Sequence, residues 1–166
     1  MQETTLRRVK PSTRPLKQSP EDIVHFTLKG LLPHGHMLAL NMALGTLSLI
    51  SHSIEGAKLL AEQQFTNSEI CVLKPLLDSY PHFCPYEVLL ASFNSGHVTE
   101  QAIDRCRQRL QEAQEAGDWD QEMRPVRNVL SRTRLKMQNF GIDIFSILET
   151  GYVLMLQSRR RQQREA

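Results

Sequence analysis

Residues 124–137 carry Arg124, Arg127, Arg132, Arg134 and Lys136 with no acid among them, and Asn128 and Ser131 sit between the cations. These residue types suit the reading of a duplex. An arginine grips guanine through two parallel hydrogen bonds, an asparagine does the same for adenine, and remaining cations neutralise phosphates. Val126, Val129, Leu130, Thr133 and Met137 recur at three- and four-residue spacing in the same stretch. The spacing predicts a helix with one apolar face to bury and most of its polar groups off that face. A solvated, charged helix face is the plain alternative, and the pattern alone does not decide between them.

Other chemistry is thinly represented. His25, His34, His36 and His52 invite a metal reading, but no cysteine or carboxylate stands at ligand spacing beside them, so no metal is expected. Cys71, Cys84 and Cys106 lie on or beside apolar helix faces and read as small core residues. An odd number of cysteines without regular spacing argues against a disulfide framework and for a reducing compartment. There is no glycine-rich phosphate loop, serine nucleophile elbow or zinc-hydrolase signature. The expectation is therefore a non-enzyme with no cofactor.

The supporting elements must be built from 166 residues, 40% of them apolar, which allows one packed domain with tails. Residues 1–20 hold five positive charges, one negative charge and three prolines, and read as a flexible basic arm. Residues 157–166 read as a second basic tail. No run approaches the ~18 apolar residues of a membrane span, and Pro11, Pro15 and Pro20 stand where a signal peptide would be apolar. A soluble cytoplasmic protein is expected, with no membrane partner.

Between the tails, residues 21–64 read as strand in part, but Met37 to Leu44 fits a buried helical turn as well. Thr66 with Glu69 predicts a capping box, and Phe65 with Ile70 a hydrophobic staple, at the start of a helix that Pro75 should kink or shorten. Pro85 suits the first turn of a second helix, with Val88, Leu89 and Phe93 on its apolar face, ending at Asn94 to Gly96. A further helix starts at Thr99 and carries Ile103, Cys106 and Leu110; Gly117 should break it. Five acids and the only tryptophan, Trp119, follow within residues 111–122. Pro125 suits the first turn of the basic helix, and Gly141 should stop it. Residues 142–156 read as a β-hairpin with Gly151 near its turn.

Four of these pieces occur in an order that resembles the winged-helix effector domain of OmpR/PhoB-type response regulators. They are Phe65-Thr66-x-x-Glu69-x-x-Val72-Leu73-x-x-Leu76; Tyr80-Pro81 with Glu87-Val88-Leu89-Leu90; Arg124-x-Val126-x-x-x-Leu130-Ser131-Arg132-x-Arg134-x-Lys136-Met137; and Gly141-Ile142-x-Ile144-x-Ser146-Ile147-x-x-x-Gly151-Tyr152-x-Leu154. The likeness covers about residues 44–156. It implies an α+β winged helix-turn-helix over residues 21–156: an N-terminal antiparallel sheet, three core helices and a C-terminal hairpin wing. An inserted helix would lie within about 96–123. It moves residues 44–64 towards strands.

The likeness also implies a sequence-specific, DNA-binding transcription regulator that places helix 124–137 in the major groove. Arg124, Asn128, Val129, Ser131, Arg132 and Arg134 would face double-stranded DNA, with Arg127 and Lys136 among the helix cations and Ser146 and Tyr152 supporting phosphate contacts. Members often sit in tandem on direct repeats, although no dimer seam is visible here. Three departures qualify it. The residues before the domain are too few for a receiver domain, so control by aspartyl phosphorylation is not expected. Leu148-Glu149 stands where such wings offer Arg-Gly, and an acid there repels phosphate. The 96–123 segment is long, and either patches the core or contacts RNA polymerase. The alternative expectation is an adaptor of the same fold that binds RNA polymerase or a sigma factor without reading DNA.

Overall fold

A computed structural model describes residues 22–157. The basic arm and nearly all of the basic tail lie outside them. The chain begins with a four-stranded antiparallel meander: β1 (Ile23–Phe26), β2 (His36–Asn41), β3 (Thr46–Ser53) and β4 (Gly56–Gln64), in that spatial order. The sheet is built by alternation. Leu38 pairs with Leu49 and Leu40 with Leu47, and all four are buried, while Ala39 and Ser48 between them face the other way. The segment left undecided between helix and strand is thus strand, and the sheet starts at Ile23 rather than near residue 44. Short strands with intervening turns hid it, because β1 has only four residues.

Helix α1 (Asn67–Asp78) follows. Thr66 caps it by accepting the Glu69 amide at 3.3 Å. The capping box is altered, since the Thr66 hydroxyl itself donates to Glu69 Oε1 at 3.0 Å and the glutamate is 2% exposed. Phe65 and Ile70 are both buried, as a staple requires. Pro75 lies inside the helix, which runs three residues beyond it and closes with Ser79 donating to the Pro75 carbonyl.

β5 (Phe83–Pro85) leads into α2 (Tyr86–Ser95), with Pro85 in the N-cap position rather than the first turn. α3 (Glu100–Ala116) starts where Thr99 accepts the Ala102 amide at 3.1 Å. It ends at Gly117, whose φ of +77° suits a residue without a Cβ.

α4 (Trp119–Met137) starts five residues before the expected helix, so Pro125 is interior. Asp120 and Glu122 in the first turn complement the positive end of the helix and help the early start. β6 (Ile142–Ile147) and β7 (Gly151–Leu156) then form the expected hairpin, and β5 joins β7 to give the order β5-β7-β6.

Gly151 is the first residue of β7, and the turn is Leu148-Glu149-Thr150. Its backbone passes so close to β5 that a Cβ would overlap the Cys84 carbonyl oxygen and lie 2.9 Å from Pro85 Cα. The described residues are therefore α+β, with a four-stranded antiparallel sheet, four α-helices and a small second sheet. α4 is central, packing on α1, α2, α3 and β6.

Candidate nucleic-acid interface

α4 has two opposite faces. Met123, Val126, Val129, Leu130, Thr133 and Met137 are buried. Arg124, Asn128, Ser131 and Leu135 follow one another at four, three and four residues and are exposed, with Arg132 beside them. The eleven residue steps from Arg124 to Leu135 make this ridge about 16 Å long, and a groove about 12 Å wide admits a helix. The Ser131 hydroxyl donates to the Arg127 carbonyl at 3.0 Å. Among the described residues, Arg124, Asn128 and Arg132 have no side-chain hydrogen bond or ion pair. These side chains are what α4 offers to a ligand.

The remaining expected groove contacts need correction. Val129 is 5% exposed and belongs to the core, because its helical position is the inward one. Arg134 points along β6 and donates from Nε to Asp143 Oδ1 at 2.7 Å; that carboxylate is buried. Lys136 turns to α1, with Nζ 2.8 Å from Glu69 Oε2 and 3.0 Å from the Gln64 carbonyl oxygen, over the Phe65 ring. Both are tied into the body, not free cations. Arg127 is intermediate in exposure: it pairs with Asp120 at 2.5 Å and lies 5.1 Å over the Trp119 ring.

Tyr152 is half-buried, its ring edge-on to Tyr86 at 5.7 Å, and burial raises its hydroxyl pKa above the usual tyrosine value, with Tyr86 adding to the rise. It sits at the turn end of the hairpin, paired in register with Ser146. Ser146 is exposed on β6.

The hairpin runs back along α4. It is tied at its start by Arg134–Asp143 and near its tip by the Tyr86 hydroxyl, which donates to the Ile147 carbonyl at 3.1 Å. The tip exposes Leu148 (86%) and carries Glu149 at φ +57°. Between this tip, the α3–α4 junction and α4 lies a cleft of about 570 Å³ with Tyr86 and Trp119 in its wall, their rings edge-on at 5.0 Å. Burial raises the Tyr86 pKa, Arg127 opposes the rise and Glu149 adds to it.

The 96–123 segment patches the core. Ala102, Cys106 and Leu110 of α3 are buried, Arg107 reaches Glu87 of α2 at 3.7 Å, and Arg109 pairs with Glu122 of α4. The burial of Cys84 and Cys106 agrees with the reading of cysteines as core residues, while Cys71 is half-buried. No group of three or more metal-ligating side chains occurs among the described residues.

Sequence reasoning missed the Glu69–Lys136 tie, which joins residues far apart in the chain. It also missed the Asp143 tie, although a lone acid in Ile142-x-Ile144 was a usable signal. Neither ion pair can be obtained from helical periodicity alone. No helix among the described residues is long and apolar enough to cross a membrane. No family model, curated protein or solved structure matches the chain.

Proposed function

We propose that the chain is a winged-helix transcription regulator that binds double-stranded DNA, with α4 in the major groove and β6–β7 as the wing. The observation that carries this reading is the uncovered ridge Arg124, Asn128, Ser131 and Arg132 on a helix whose opposite face is fixed in the core. The element order supports it as well: meander, α1, β5, α2, an added helix, α4 and hairpin. Arg132 and Asn128 are assigned to base edges, with Arg124 and Ser146 on phosphates.

Selection on random duplex DNA followed by gel shift tests the proposal. Enrichment of one motif is expected, with log affinity falling linearly against log salt by about 0.9 per phosphate contacted. Salt-insensitive binding, or no binding to any duplex, overturns it.

The second reading is an adaptor that binds RNA polymerase or a sigma factor. Exposed Leu135 on the ridge and Leu148 at the tip, beside Glu149, favour it. A partner that survives nuclease treatment and is indifferent to Arg124→Ala and Arg132→Ala selects the adaptor.

A further inference from the structure

The cleft under the hairpin tip holds charges of both signs around an aromatic wall. Arg127 enters from α4, Asp120 from the first turn of that helix, and Glu149 from the β6–β7 turn. Trp119, Tyr86 and Leu148 supply apolar surface. At about 570 Å³ it falls in the range of small-molecule sites, which combine apolar walls with a few convergent polar groups.

The charge arrangement selects among ligands. A simple anion meets two carboxylates, and a simple amine meets the guanidinium. A molecule carrying both signs a few bonds apart satisfies all three side chains. Arg127 is available for this: its ion pair with Asp120 uses Nη2, and a guanidinium has five N–H donors. Asp120 has a side-chain exposure of 79%, so that pair is solvent-screened and readily rearranged.

We propose that this cleft binds a free α-amino acid with an aromatic or branched apolar side chain. The ligand carboxylate lies on Arg127, the ammonium lies between Asp120 and Glu149, and the side chain lies against Trp119, Tyr86 and Leu148. A fork-shaped donor facing a carboxylate gives both strength and orientation. The ammonium at Glu149 ties the hairpin tip to α4, which no side-chain hydrogen bond or ion pair among the described residues does.

Trp119 is the only tryptophan, so its fluorescence reports this cleft directly. The full chain is titrated with L-phenylalanine, with phenethylamine (no carboxylate) and with 3-phenylpropionate (no ammonium), and calorimetry repeats each titration. The expected result is a saturable change with L-phenylalanine at submillimolar concentration and at least tenfold weaker binding of either analogue. Glu149→Gln, at an exposed turn, and Arg127→Gln should each weaken L-phenylalanine at least tenfold while circular dichroism is unchanged. Absence of a saturable signal by both methods, equal binding of the three probes, or wild-type affinity in the Glu149→Gln protein overturns the proposal. The titration contains no DNA, so its failure leaves the assignment of the α4 ridge intact.

Discussion

Lys136→Met separates cations that hold the fold from cations that are free to bind. Lys136 is tied to Glu69, whose side chain is 2% exposed, while the lysine side chain keeps 29% exposure. Methionine keeps much of the stem's packing over Phe65 but removes the charge, leaving the carboxylate with the Thr66 hydroxyl. Breaking a fully buried pair costs about 3–5 kcal/mol. Water reaches the lysine, so the expected loss is about 2–3 kcal/mol. At about 2–4 °C per kcal/mol for a chain of this size, Tm should fall by roughly 5–10 °C. Urea unfolding measures the loss, and Glu69→Gln in the same chain should restore part of it by removing the stranded charge. The salt slope of DNA binding, measured where the variant remains folded, should be unchanged, because Lys136 Nζ is engaged with Glu69 rather than free for a phosphate. Arg132→Ala should do the reverse: stability within about 0.5 kcal/mol of the parent, and DNA binding weaker by about 1–3 kcal/mol if it reads a base. A Lys136→Met protein of normal stability, with a salt slope reduced by about one, refutes this division of the α4 cations.

Three further outcomes are expected. Gly151→Ala should cost about 3 kcal/mol or more, seen as a lower urea midpoint, because the new methyl meets β5 backbone rather than a side chain that can turn away. Pro125→Ala should raise stability by about 1–2 kcal/mol, seen as a higher Tm, because it restores an amide donor to the Gln121 carbonyl in the interior of α4. Burial pushes the Cys84 thiol up to about 12 from 9.0, with Glu87 adding to the rise. The folded chain therefore holds this proton more tightly than the unfolded one. Its contribution to stability is complete below pH 9 and is lost as pH rises towards 12, by about 2 kcal/mol at pH 10.5. Urea midpoints at pH 8 and 10.5 should diverge less in Cys84→Ala than in the parent; equal divergence refutes the assignment.

The legible parts of the fold were those set by short-range rules. Thr66 and Thr99 marked helix starts, Gly96 and Gly117 marked ends, and the spacing of Val126, Leu130, Thr133 and Met137 marked the inward side of α4. The meander was legible only from about residue 44 onwards, since β1 is too short to show alternation. The start of α4 was obscured by Pro125: a proline in a basic run suggests a first turn, whereas the acids at 120 and 122 favour initiation upstream. Within the site, the sequence marked which residues are cationic but not which are occupied. Arg134 and Lys136 are flank residues whose fate depends on Asp143 and Glu69, and only tertiary geometry brings those acids to them.

That occupation bears on how such a helix works. A helix that binds through its outer ridge must be held against rotation about its own axis, since a turn of about 100° exchanges one residue's direction for the next. Apolar packing of Val126, Leu130 and Met137 fixes depth but tolerates some rotation. Arg134 to Asp143 on one flank and Lys136 to Glu69 on the other oppose rotation in both senses. Arg127, stacked on Trp119 and paired with Asp120, does the same nearer the N-terminal end, with a weaker and more exposed contact. The cations absent from the ridge therefore still serve it. They fix the angle at which Arg124, Asn128 and Arg132 are presented, and the Arg109–Glu122 pair and buried Met123 hold the end beside the cleft.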